Sequence, residues 1–151
     1  NWAMTGWRVG WIKVHPDLQD VFENLIQYST SGVAQFMQRG AVAALDQGDA
    51  FIASQVERAH KARDIVCKIL RDTGRARFSV PAGAFYLYFS IDGITDVRQA
   101  AFDIVDQANV GLAPGTAFEK DGAGFFRICF HRRLDQVEES ANRLAKWIRE
   151  R

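Results

Sequence analysis

Ala3-Met4-Thr5-Gly6-Trp7-Arg8-Val9-Gly10-Trp11 sets one cation between two glycines in a tryptophan-rich run. Trp7, Val9 and Trp11 alternate with Arg8, Gly10 and Ile12, which predicts a short strand over residues 7–14. The glycines leave room for a bulky anion beside the backbone at Arg8. Its planar guanidinium can grip two oxygens of such an anion at once. The spacing alone equally allows a strand arginine paired with a carboxylate.

Working outward, Pro16 suits the first turn of a helix reaching about Tyr28, and the polar run Tyr28-Ser29-Thr30-Ser31-Gly32 interrupts it. Residues 33–45 resume as a helix ended by Gly48. From Asp49, the residues Ile52, Val56, Ala59, Val66 and Leu70 recur at helical spacing with charged residues between them. One long amphipathic helix is expected, stopped by Gly74. A single strand and two helices cannot close a core alone, so residues 1–48 read as the end of a larger α/β domain. Residues 49–74 read as a connecting helix.

Beyond Gly74 the texture changes. Residues 77–80, 85–89 and 125–130 are short aromatic-rich runs bounded by Pro or Gly, which reads as a small sheet. Between them, 95–108 has a helical apolar face with Thr95 as its expected N-cap. Asp135 and Glu138 match a capping box for a final helix whose stripe is Val137, Ala141, Leu144 and Ile148. Residues 75–151 therefore form a small α+β domain. Arg127 stands between Phe126 and Ile128 in a strand that otherwise reads as buried. A guanidinium there needs an anion, which could be a structural Asp or Glu or a ligand.

A net charge of +1 gives no electrostatic reason to expect nucleic acid or a membrane surface as partner, and no apolar run approaches the roughly 20 residues of a membrane helix. Two cysteines, Cys67 and Cys129, sit in apolar patterns far apart. Both read as core thiols in a reduced, cytoplasmic setting. His15, His60 and His131 have no ligand spacing with each other or with the cysteines, so they read as surface or cap residues and no metal site is expected. His131-Arg132-Arg133 reads as a solvated basic loop.

The opening string, followed about a hundred residues later by Pro114-Gly115-Thr116-Ala117-Phe118 and then Gly122-Ala123-Gly124-Phe125-Phe126-Arg127-Ile128, resembles the fold-type-I aminotransferases that use pyridoxal phosphate. The resemblance runs from Asn1 to the last helix and concerns the C-terminal portion of that family. It implies a fold in which the last strand and helices of the large cofactor domain lead through the long helix to the small α+β domain. It also implies a homodimer with shared active sites, and amino-acid and 2-oxo-acid substrates.

Residue by residue, the resemblance assigns Arg8 to the cofactor phosphate and Arg127 to the substrate α-carboxylate. It places Phe118 along the substrate entrance, where a turn anchored by one core aromatic remains an equal reading. The loop at Tyr28 and Ser31 falls where the family's chain approaches the cofactor phosphate of a neighbouring subunit. In the family the Schiff-base lysine lies eight residues before the motif arginine, so it is expected immediately before Asn1, and the chain alone carries no catalytic residue. The other expectations are that Arg8 and Arg127 face one cleft and that residues 1–45 leave apolar surface exposed. A carbon–sulfur β-lyase of the same fold, the aminotransferase-like sensing domain of a transcriptional regulator, and a cofactor-free binding module are the competing readings.

Overall fold

The alternation in residues 86–91 sends Leu87, Phe89 and Ile91 to one side and Tyr86, Tyr88 and Ser90 to the other, and only the first set is buried. In the computed structural model, which describes residues 1–151, this run is the centre of a four-stranded antiparallel sheet. Its strands are β1 (Ala76–Arg77), β2 (Tyr86–Ile91), β3 (Ala113–Pro114) and β4 (Phe125–Cys129), in the order β1-β2-β4-β3. Tyr88 pairs with Arg127 and Phe89 with Phe126, so Phe126 and Ile128 join the apolar face of β2.

Three of the five helices, the last three in the chain, cover that face. The helices are α1 (Gln19–Ser29), α2 (Gln35–Gln47), α3 (Asp49–Arg71), α4 (Val97–Ala108) and α5 (Leu134–Arg149). Val66 and Leu70 of α3, Val97 and Ile104 of α4, and Leu144 and Ile148 of α5 share one core with the sheet. Each such side chain contributes roughly 1.5–3 kcal/mol by leaving water. The outer face carries Tyr86, Tyr88, Phe125, Arg127 and Cys129, all partly exposed. The chain divides into two compact units, residues 1–55 and 56–151, with α3 running through the division. The architecture is mixed α/β, with a helix-covered antiparallel sheet in the second unit.

Several local readings are corrected. The strand expected over residues 7–14 does not form: Thr5–Trp7 make a 3₁₀ turn, Arg8 takes a left-handed backbone at φ 54°, and the rest has no regular structure. A strand is stabilised by its ladder, and residues 1–55 contain no second strand to supply one. The helix after Pro16 begins as a 3₁₀ turn before α1. The strand at 77–80 shrinks to Ala76–Arg77. Asp96, not Thr95, caps α4, accepting from the Gln99 amide at 2.9 Å. Asp135 forms no capping box, because Arg133 takes its carboxylate through two hydrogen bonds. The α3 helix ends at Arg71, where the Thr73 hydroxyl donates to Leu70 O and accepts from the Arg75 and Ala76 amides.

Residues 1–55 contain no buried side chain. Trp7 and Trp2 lie so close to α2 and its end that a Cβ at Gly40 or Gly48 would collide with their rings. Trp11 nevertheless remains 67% exposed and Phe36 69%. The expected apolar exposure of this segment is therefore present.

Candidate functional site

Arg127 is delivered by strand alternation. With Phe126 and Ile128 turned into the core, its side chain takes the outer face, half-buried rather than buried as the sequence suggested. Its guanidinium carbon lies 3.5 Å from the centroid of the Phe118 ring and 4.2 Å from that of Tyr86. Each ring thus meets the guanidinium at cation–π distance. No hydrogen bond and no carboxylate within 4.0 Å engages Arg127. A half-buried guanidinium held this way keeps its donors available to an anion.

A tightly closed loop presents Phe118. Phe118 and Glu119 donate their amides to Gly115 O, Gly122 donates to Glu119 O, and Phe125 donates to Gly122 O. Gly115 and Gly122 touch, and a Cβ on either would collide with the other's backbone. A Cβ at Gly115 would also strike the Tyr88 hydroxyl. That hydroxyl is buried without a hydrogen-bond partner. Burial first, and then the nearby Glu119 carboxylate, hold the Tyr88 phenol above its ordinary range. The Tyr88 ring stacks on Phe125 with centroids 4.9 Å apart and planes 5° apart. Phe118 is thus an exposed wall beside Arg127 rather than a core anchor. Tyr86 was not singled out from the sequence; the alternation of 86–91 and its register against 125–129 is the signal that finds it.

Arg8 belongs to the first unit. It is exposed, donates to Thr5 O at 3.2 Å, and has no carboxylate partner. The space where Gly6 and Gly10 lack side chains is open. A forked, unneutralised donor between open glycines fits the chemistry of a phosphate dianion. Its left-handed backbone is a conformation that costs a non-glycine residue on the order of 1–3 kcal/mol and concentrates at functional sites. Asn1, Trp2, Met4, Trp7, Trp11 and Leu45 line a neighbouring cleft of about 400 Å³.

The remaining candidates have local partners. Ser29 and Ser31 return their hydroxyls to carbonyls of α1, and Tyr28 is exposed. His15 accepts from the Asp17 amide, and His60 is exposed. His131 is partly exposed: Arg58 donates to its Nε2 at 3.2 Å, which leaves the proton on a buried, unpartnered Nδ1. Burial, then Arg58 and Arg132, keep its pKa below the ordinary histidine value. Cys67 is in the core, where burial pushes its thiol up, but Cys129 lies half-buried on the outer sheet face. No three His, Cys, Asp or Glu side chains come together as a metal site, and no helix is long and apolar enough to cross a membrane.

The family model described as aminotransferase class I and II matches residues 1–144. The LL-diaminopimelate aminotransferase of Desulforudis audaxviator is 31% identical over 95% of this chain and 36% of its own length. The aspartate aminotransferase of Pyrococcus horikoshii is 30% identical over 97% of this chain and 38% of its own. Among solved structures, an aromatic aminotransferase from Pyrococcus horikoshii superposes with a TM-score of 0.88 at 28% identity, covering 98% of this chain and 40% of that one. An aminotransferase from Mycobacterium tuberculosis gives 0.89 at 29% identity, covering 99% and 39%. The chain thus spans about two fifths of the length of these relatives. With the family model matched from Asn1 almost to the end of α5, the chain belongs to the class I and II aminotransferases.

Proposed function

We propose that this chain is the C-terminal portion of a pyridoxal-phosphate-dependent aminotransferase that moves an amino group between an amino acid and a 2-oxo acid. The observation that carries the reading is the Arg127 guanidinium, half-buried between two aromatic rings and unclaimed by any carboxylate of the chain. Relatives named as aminotransferases support transfer over the β-lyase, sensing-domain and binding-module readings. Aspartate and LL-diaminopimelate, the substrates in those names, both offer the α-carboxylate that Arg127 suits.

In this reading Arg127 takes the substrate α-carboxylate through two parallel hydrogen bonds. A two-point grip fixes rotation about the bond to Cα and so decides which Cα bond is presented for cleavage. Phe118 and Tyr86 keep water from the faces of the guanidinium, which strengthens its pairing with the carboxylate. Arg8 holds the cofactor phosphate. Pyridoxal phosphate, when bound, supplies the electron-withdrawing ring that makes the substrate's Cα proton acidic. Residues 1–48 serve as the end of the cofactor-binding domain, 49–74 as the connecting helix and 75–151 as the small domain. A cytoplasmic homodimer with shared active sites completes the proposal, supported by the apolar surface that residues 1–55 expose.

Arg8→Ala in the full-length protein tests the cofactor half. Losing a charge-assisted forked contact costs about 2–5 kcal/mol, so pyridoxal phosphate is expected to dialyse away from this variant and remain on the parent. Arg8→Lys recovers part of the retention, because one ammonium replaces a planar pair of donors. Equal retention by the alanine variant makes Arg8 structural.

A further inference from the structure

The guanidinium of Arg127 is left free in a chain rich in carboxylates, and something must keep it so. Its own strand offers only Phe125, Phe126, Ile128 and Cys129, and its register partners are Tyr88 and Ala113. Glu119, the acidic residue beside Phe118 in the sequence, lies near the Tyr88 hydroxyl and makes no ion pair with Arg127. What touches the cation is aromatic, Phe118 and Tyr86. A ring attracts a cation through its π face and offers no acceptor for the N–H groups. Two ring faces in contact with a guanidinium can therefore fix it in place without consuming its N–H donors.

We propose that Tyr86 and Phe118 are positioning residues that together clamp the Arg127 guanidinium through their ring faces and leave its N–H groups as a preset fork for a carboxylate. The inference rests on the carboxylate role proposed for Arg127. It adds that the fork is set by aromatic walls rather than by a paired acid, so the arginine meets its ligand with its charge unneutralised and its rotamer already restricted. The two walls differ in origin. Tyr86 belongs to the central strand β2 and is fixed by the ladder with β4. Phe118 belongs to the loop held by the Gly115–Gly122 contact. Tyr86 is therefore the fixed wall, and its removal isolates the clamp with less disturbance of the loop.

The test uses the full-length protein with cofactor bound and compares the parent with Tyr86→Leu, Tyr86→Phe and Arg127→Ala. Steady-state constants are measured for an amino acid and for the amine that lacks its α-carboxylate. Tyr86→Leu is expected to raise KM for the amino acid about tenfold, the scale of one partly desolvated cation–π contact, with little change in kcat or in the constants of the amine. Tyr86→Phe, which keeps the ring, recovers most of the parent's KM. The second readout needs no turnover: the Nε–H proton of Arg127 carries the ring-current shift of the flanking aromatics in NMR spectra, and Tyr86→Leu removes part of it. If Arg127→Ala impairs the amino acid selectively while Tyr86→Leu leaves both KM and the Nε–H shift at parental values, the clamp is overturned and the carboxylate role stands. If Arg127→Ala also spares the amino acid, the proposed role of Arg127 fails and the clamp with it.

Discussion

Arg127→Ala in the full-length protein is expected to lower kcat/KM for amino-acid substrates by roughly 30-fold to several-thousand-fold while pyridoxal phosphate stays bound. The range converts about 2–5 kcal/mol for losing a charge-assisted bidentate contact. Tyr86 and Phe118 have no cationic donor, and no second arginine joins the ring pair to take over the contact. The fold should survive the change. Arg127 makes no ion pair or hydrogen bond whose loss would strand a partner, and its truncation removes two cation–π contacts from the outer sheet face rather than material from the core. Loss of activity with native amide-exchange protection in β2 and β4 separates binding from folding. Parental kinetics would remove Arg127 from the site.

Phe126→Ala, one residue away, has the opposite expectation. Phe126 is fully buried, its ring lies 5.6 Å from that of Phe89, and it faces the helical layer. Deleting a core phenylalanine costs about 3–5 kcal/mol through lost transfer energy and an unfilled cavity. That is a large share of the 5–15 kcal/mol that holds a typical domain together. The free energy of opening at β2 and β4 amides, read by hydrogen exchange in the full-length protein, should fall by that amount. A fall below about 1 kcal/mol would mean that the sheet and helices do not meet at this residue. Two neighbours in one strand thus separate function from stability, and alternation is the cause.

Much of this was legible in the sequence. The five helices follow from apolar spacing because a helix satisfies its own backbone, and α3 to α5 appear close to their expected ranges. Strands depend on partners, so they were less legible. The run at 7–14 has strand-like alternation but no ladder in its unit, whereas Ala113–Pro114, hidden in a turn motif, becomes an edge strand because β4 lies alongside. Caps moved by local competition: Arg133 captured Asp135, and Asp96 lay nearer the first turn of α4 than Thr95. The candidates Arg8 and Arg127 were readable from short strings that resemble the family. Tyr86 was not, because its place beside Arg127 comes from cross-strand register, which no local window contains.

The central claim is amino-group transfer between acids that each present a carboxylate. Its most direct test supplies the full-length, cofactor-loaded protein with a panel of ¹⁵N-labelled amino acids and unlabelled 2-oxo acids, then follows the label by mass spectrometry. ¹⁵N is expected to appear in the amino acid derived from the added 2-oxo acid, and Arg127→Ala to slow its appearance strongly. Label released only as ammonia, or retained in every starting amino acid, would contradict it.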